Sequence, residues 1–334
     1  MRIFLTGATG VIGRRVVPSL IAGGHRVTAV ARTQAKRQQL ERAGATAADV
    51  NLFEAAAARR ALAGYDAVIN LATHMPSSSW RMFLPGVWKE NDRLRRDASA
   101  NLVEAGLACG VTTFIQESFA PTYPDRGDRW IDECTPLRPL RYNRTVLDAE
   151  NAAARFDAAG RVGVVLRFAL FYGADGPFTR ELIDMVRRGF APMPGAPGSF
   201  ISSVSHTDAA SAVVAALSVG AGVYNVADDE PLSRREFFDS LAAALGVKPP
   251  LIPPKWVASL MGSPGKMVSR SLRISNRKLR EAGGWSPKYP SAREGWRAVV
   301  GELNETASAA PARPRAGGGK GEDEGLRIQT VRTK

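Results

Sequence analysis

Residues 6–13, Thr6-Gly7-Ala8-Thr9-Gly10-Val11-Ile12-Gly13, constrain the fold more than any other segment of this 334-residue chain. They follow a short apolar run, Arg2–Leu5, and open a stretch with helical spacing, Val11–Ala22. The three glycines do separate jobs. Gly7 permits a tight turn, Gly10 lets the backbone come close to an anion, and Gly13 lets the helix lie close against the strand. The first N–H groups of a helix have no partner within it, so such a turn aims them at a phosphate. Strand, turn and helix in immediate succession therefore predict a pyrophosphate site for a dinucleotide.

Further apolar runs read as strands at Arg26–Ala31, Ala45–Ala48, Ala67–Leu71, Thr112–Gln116, Val162–Phe168 and Val223–Val226. Helical spacing fills the intervals, most extensively over Trp88–Cys109 and Asn143–Ala159. Continuous rather than alternating apolar strands belong to a parallel sheet covered on both faces. Right-handed crossovers then give an α/β, doubly wound parallel sheet of the Rossmann type. We expect residues 1–173 to form the dinucleotide-binding domain, with 204–226 returning to it. Residues 174–203 and 227–304 are expected to form a smaller α/β substrate-binding portion, with Ser233 capping one of its helices. Residues 305–334 are rich in Ala, Pro, Gly and charge and lack large apolar side chains. Such a segment cannot offset its ordering entropy and is expected to be a disordered tail.

The net charge of +13 invites a nucleic-acid reading. The basic residues are spread along the chain without a stripe, however, so a solvated basic surface is expected and no nucleic-acid partner. No apolar run of about 18 residues is present, which argues against a membrane span. The N-terminal residues lack a signal-peptide layout, so a cytoplasmic location is expected. Cys109 and Cys134 cannot staple a chain of this size, and with His25, His74 and His206 they show no metal-ligand spacing. No metal is expected.

At the end of the second strand, a site for NAD usually carries an acidic residue that accepts from the ribose hydroxyls. Here the segment reads Val30-Ala31-Arg32-Thr33. Arg32 cannot accept, but it pairs well with a 2′-phosphate, and Arg14 is expected to reach the same group. NADP(H) is therefore expected, in preference to NAD(H).

With these motifs in place, residues 1–300 resemble the extended or atypical short-chain dehydrogenase/reductases, the NAD-dependent epimerase/dehydratase family. The glycine turn matches the family's TGxxGxxG, whose cofactor contacts fall on Thr6, Gly7, Thr9, Gly10, Val11, Ile12 and Gly13. Asp49-Val50 is similar to the acidic pair beside adenine. Asn70-Leu71-Ala72-Thr73 resembles the turn beside the nicotinamide ribose, and Asn91 matches an Asn of the long helix. Phe114 to Ser118 resembles the strand ending in the active-site Ser, which would make Ser118 catalytic. Leu166 to Gly173 is similar to "LRxxNxYG", implying a cofactor contact at Phe168. Val204 to Ala210 is similar to "VHxxDxA", and Gly284 to Tyr289 to "GWxPxY". The resemblance leaves both a monomer and a homodimer open.

The chain departs from the family at its Tyr-x-x-x-Lys pair. There the Tyr exchanges a proton with substrate, and the Lys lowers the Tyr pKa and holds the ribose. Tyr142 is present, but Val146 stands at the Lys position. Arg138, Arg141 and Arg144 are the nearby cations considered as substitutes. Glu117, beside Ser118, is read either as a general acid or base or as an ordinary partner of one of the many Arg. Met75, Trp80, Phe119, Phe171, Phe178, Met193 and Phe200 suggest a rather apolar substrate pocket, and Gly198-Ser199 replace the Arg expected of nucleotide-sugar members. The resulting expectation is an NADP(H)-dependent reductase of a small, fairly apolar carbonyl compound, with Tyr142, or a water held by Ser118, as proton source. An epimerase or dehydratase, or a non-catalytic NADP(H)-binding sensor, are the alternatives.

Overall fold

The computed structural model describes residues 1–309 apart from 77 and 85. β1 (Arg2–Thr6) ends in the glycine turn and leads to α1 (Gly13–Ala22). β2 (Arg26–Val30), α2 (Gln34–Arg42), β3 (Thr46–Ala48), α3 (Ala55–Ala61) and β4 (Ala67–Asn70) follow. The long helix α4 (residues 89–108) is α-helical at both ends, but its middle, Leu94–Ala98, is π-helical. β5 (Thr113–Phe119), α5 (Val146–Ala158), β6 (Val162–Phe168) and β7 (Gly222–Val226) complete the main unit.

The seven strands are all parallel, in the order β7-β6-β5-β4-β1-β2-β3. The chain moves outward from β1 to β3 and then crosses to β4. The carboxyl ends of β1 and β4 thus flank the point where the winding reverses, and ligands of such sheets sit in the crevice there. Helices cover both faces, as the continuous apolar strands require. On one face α1 and the helix His206–Ala215 bury Ile3, Leu5, Val16 and Val213. On the other, α3, α4 and α5 bury Phe4, Phe114 and Phe156. The Phe114 and Phe156 rings lie 5.4 Å apart, and burying such a side chain contributes about 1.5–3 kcal/mol.

A second core lies beyond the strand ends. There Trp296 meets Tyr172 at 4.9 Å and Phe237 at 5.4 Å, between the helices Pro177–Arg187, Arg234–Leu245 and Ala292–Ala309. Ser233 caps the second of these in a capping box: its hydroxyl accepts from the Glu236 N–H and the Glu236 carboxylate accepts from the Ser233 N–H. Short strand pairs fasten this portion to the rim, such as Leu170–Tyr172 with Ser203–Ser205.

Three elements differ from the sequence expectations. β5 runs on to Phe119, so Glu117 and Ser118 lie within the strand. α5 begins at Val146 rather than 143. Tyr142 instead sits in a separate 3-10 turn, Arg141–Asn143, where the Asn143 side-chain oxygen accepts from the Leu140 N–H at 2.8 Å. The last helix runs through Ala309, into the segment read as a tail, because Trp296 and Val300 bury one of its faces. The rest of that tail lies outside the described residues. Among the described residues, no helix is long and apolar enough to cross a membrane.

Candidate cofactor and catalytic site

The glycine turn has the geometry its sequence demands. Gly7 has φ +71°, and a Cβ on it would lie 2.3 Å from the Leu71 carbonyl oxygen at the end of β4. A Cβ on Gly13 would lie 2.3 Å from the Gly7 carbonyl oxygen, so α1 starts directly over the turn. The Gly10 N–H closes the turn onto the Gly7 carbonyl at 3.0 Å. Beneath it, the Thr6 hydroxyl donates to Asn70 at 2.5 Å, and Asn70 donates to Gln116 at 2.9 Å and Ser99 at 3.1 Å, which locks the three strand ends together.

A cleft of about 530 Å³ opens above this turn, well within the size range of small-molecule sites. Thr6, Gly7, Thr9 and Gly10 form its floor, Arg32 its β2 side, Asp49 and Val50 its β3 side, and Leu71, Ala72 and Thr73 its β4 side. These expected contacts are therefore brought together. The sequence reading missed Lys36, Phe53 and Leu94, which also line the cleft. Lys36 was findable: it lies in the first turn of α2, whose cap, Thr33, accepts from the Lys36 N–H at 3.4 Å. Arg32 is 70% exposed, with Glu90 4.0 Å away, so its guanidinium is available to a ligand. Asp49 is paired with Arg37 at 2.5 Å.

Arg14 is placed differently from its expected role at the 2′-phosphate. Its guanidinium lies 2.8 Å from Asp175, which also contacts Arg15 at 2.6 Å and His206 Nδ1 at 2.7 Å. Partial burial works against ionisation of Asp175, but the hydrogen bonds from His206 and Arg15 outweigh it and hold the carboxyl well below the usual range. His206 is thus a structural tie. Val11, Ile12 and Gly13 belong to the turn and the start of α1, without lining the cleft.

At the end expected to be catalytic, the expected residues have partners of their own. Ser118, expected to serve catalysis, donates its hydroxyl to Glu150 at 2.5 Å in the buried interior. Glu150 grips Arg167 through two hydrogen bonds of 2.9 and 2.7 Å, and Arg167 donates to the Tyr123 hydroxyl at 2.7 Å. Tyr123 in turn donates to Asn225 at 2.9 Å, so the network spans β5, α5, β6 and β7. Ser118 is a member of this structural network.

The Tyr142 hydroxyl rests on the sulfur of Met267, and its ring lies against Trp88 at 5.0 Å. Burial pushes this phenol above its ordinary value, although Arg95 and Arg270 pull the other way. Val146, four residues on, has no exposed surface. Arg138, Arg141 and Arg144 are exposed, and none replaces a buried cation. A buried cation at this end is Arg95, delivered by the π-helical part of α4 and only 5% exposed. Its Nη2 lies 3.8 Å from a carboxyl oxygen of buried Glu117. Among the described residues, Arg95 Nε, the second Glu117 oxygen and the side-chain nitrogens of Asn91 and Asn143 have no hydrogen-bond partner. Asn91 presents its oxygen to the His74 N–H at 3.0 Å, and Phe168 is buried against Phe171. An apolar hollow of about 40 Å³ adjoins this end, lined by Met193, Phe200, Met267 and Arg270 among others. Met75 and Trp80 are exposed.

Comparison with known proteins agrees with this architecture. The sequence pattern of the NAD dependent epimerase/dehydratase family matches residues 3–227. A 3-diazoavenalumate denitrifying reductase of a Streptomyces species is 30% identical over 308 residues, covering 88% of this chain and 99% of that protein. The 2-alkyl-3-oxoalkanoate reductase of Shewanella oneidensis is 25% identical over 269 residues, covering 74% of this chain and 66% of that one. Among solved structures, the human epimerase family protein SDR39U1 with NADPH superposes with a TM-score of 0.73 at 20% identity, covering 91% of this chain and all of that one. UDP-glucose 4-epimerase of Thermus thermophilus with NAD gives 0.72 at 25% identity, covering 91% and 99%. The chain belongs to the NAD dependent epimerase/dehydratase family and has the NAD(P)-binding Rossmann fold of that oxidoreductase family.

Proposed function

We propose that this chain is an NADPH-dependent reductase of a small, fairly apolar, electron-poor compound such as an aldehyde, a ketone or an aryl diazonium. The observation that carries this reading is the pair Arg32 and Lys36 at the mouth of the cleft, where an NAD site needs a carboxylate. Two cations there suit a 2′-phosphate, while the turn at Gly7, Thr9 and Gly10 would hold the pyrophosphate. When bound, the reduced nicotinamide supplies hydride. The relatives named above as reductases support this direction of reaction.

Epimerisation and dehydration fit less well. Both begin with an oxidation, which needs a base. Val146 cannot lower the pKa of Tyr142, and burial raises it. Lacking an Arg before Phe200, the chain also lacks a feature of nucleotide-sugar members.

The test is NADPH consumption by the purified full chain with a panel of aryl aldehydes, ketones and an aryl diazonium salt. Turnover with NADPH at least about tenfold more efficient than with NADH is expected, since one charged contact is worth that much. Tight NADPH binding without turnover of any panel member would turn the reading toward a sensor.

A further inference from the structure

We propose that Glu117 is the proton donor of this reduction and that Arg95 is the cation that receives its carboxylate once the proton has left. The inference rests on the reductase reading above. A reduction of C=O needs a proton as well as a hydride, and both hydroxyls that the family pattern would offer are committed elsewhere. Ser118 is bonded to Glu150, and Tyr142 lies on Met267.

Glu117 is placed where they are not. It lies near the carboxyl end of β5, on the ligand-binding rim of the sheet. Its side chain is buried, and one of its oxygens has no partner among the described residues. A buried carboxyl oxygen without a partner costs free energy unless a ligand or a proton satisfies it. Arg95 stands 3.8 Å from the other oxygen, beyond hydrogen-bond range, so the two charges are close without being hydrogen-bonded. Asn91 and Arg95 are four residues apart on α4 and share a face, and each keeps an unpartnered buried nitrogen. That face offers donors to a polar group of the substrate.

The surrounding charges suit an acid that must start neutral. Burial pushes the Glu117 carboxyl upward, Arg95 pulls it down and Glu150 pushes it up again. Glu150 is itself matched by Arg167, which leaves Arg95 to face Glu117. In the reaction, the carbonyl carbon gains the hydride, the C=O π bond breaks, and its oxygen takes the proton from Glu117. Alcohol, oxidised nicotinamide and a Glu117 carboxylate result. Arg95 stabilises that carboxylate until solvent returns a proton.

The test uses Glu117→Gln in the full-length protein, with NADPH and the best carbonyl substrate of the panel, because hydride reduction of a diazonium takes no proton. NADPH affinity, read by cofactor fluorescence, is expected to stay within about twofold, while kcat falls at least about 100-fold, as for loss of a general acid. Wild-type kcat is expected to decline as pH rises through the elevated Glu117 pKa, and Glu117→Asp to keep this limb. Arg95→Gln removes the charge that lowers this pKa, so its limb moves to higher pH. That shift is readable even should Glu117→Gln fail to fold. Glu117→Gln with kcat within threefold of wild type, or a limb unmoved by Arg95→Gln, overturns the proposal. A wild type that binds NADPH but reduces nothing breaks the reductase reading first and takes the proposal with it.

Discussion

The two ends of this site lie along one rim of one sheet, yet they are built in opposite ways. At the glycine turn the work is done by backbone: a positive φ at Gly7, two missing Cβ atoms and the N–H groups at the start of α1. At the other end, where the proposed chemistry lies, side chains meet from β5, from the middle of α4 and from a 3-10 turn. Backbone recognition leaves little room for substitution, because a Cβ at Gly7 or Gly13 collides with a carbonyl oxygen rather than with a movable side chain. Side chains are freer to take other partners. Ser118 points at Glu150 and Tyr142 at Met267.

The difference can be broken experimentally. The largest effect is expected at the network that has captured Ser118. Arg167→Met leaves the Glu150 charge buried and unpaired, so denaturant unfolding should show a loss of about 3–5 kcal/mol. A loss below about 1 kcal/mol would mean that Glu150 is not dependent on Arg167, and that Ser118 is free to turn back to the cleft. At the cofactor end, Arg32→Asp should weaken NADPH binding roughly tenfold to 100-fold by titration and leave NADH binding nearly unchanged. Equal losses for both cofactors would remove the 2′-phosphate from the account. The smallest effect is expected at Tyr142→Phe, with kcat reduced less than about threefold, whereas loss of a working general acid costs about 100-fold or more. A 100-fold drop would show that Tyr142 leaves Met267 during turnover and that the two ends are less different than they look.

What could be read from the sequence follows the same division. The strand, turn and helix of residues 2–22 are local, and each glycine's job is set by its immediate neighbours. The place of Arg32 beside the cleft was legible for the same reason. The ion pair of Arg14 could not be read, because Asp175 lies 161 residues further on and comes near only through the fold. The Ser118–Glu150 contact was not legible because Glu150 is on another element. Arg95 was missed because it sits among three arginines of one helix. Arg93 covers the Phe53 ring and Arg96 reaches Asp148 at the surface, and only burial distinguishes Arg95 from them. The spacing of Asn91 and Arg95 on one helical face was the available signal.

The enclosed Val146 has a consequence for any attempt to place the family's Lys on this helix. Val146→Lys would put an ammonium group where the side chain has no exposed surface, at a cost of several kcal/mol. The Ser118 and Tyr142 hydroxyls would still rest on Glu150 and Met267, so that one substitution would not assemble the Ser, Tyr and Lys of the family pattern.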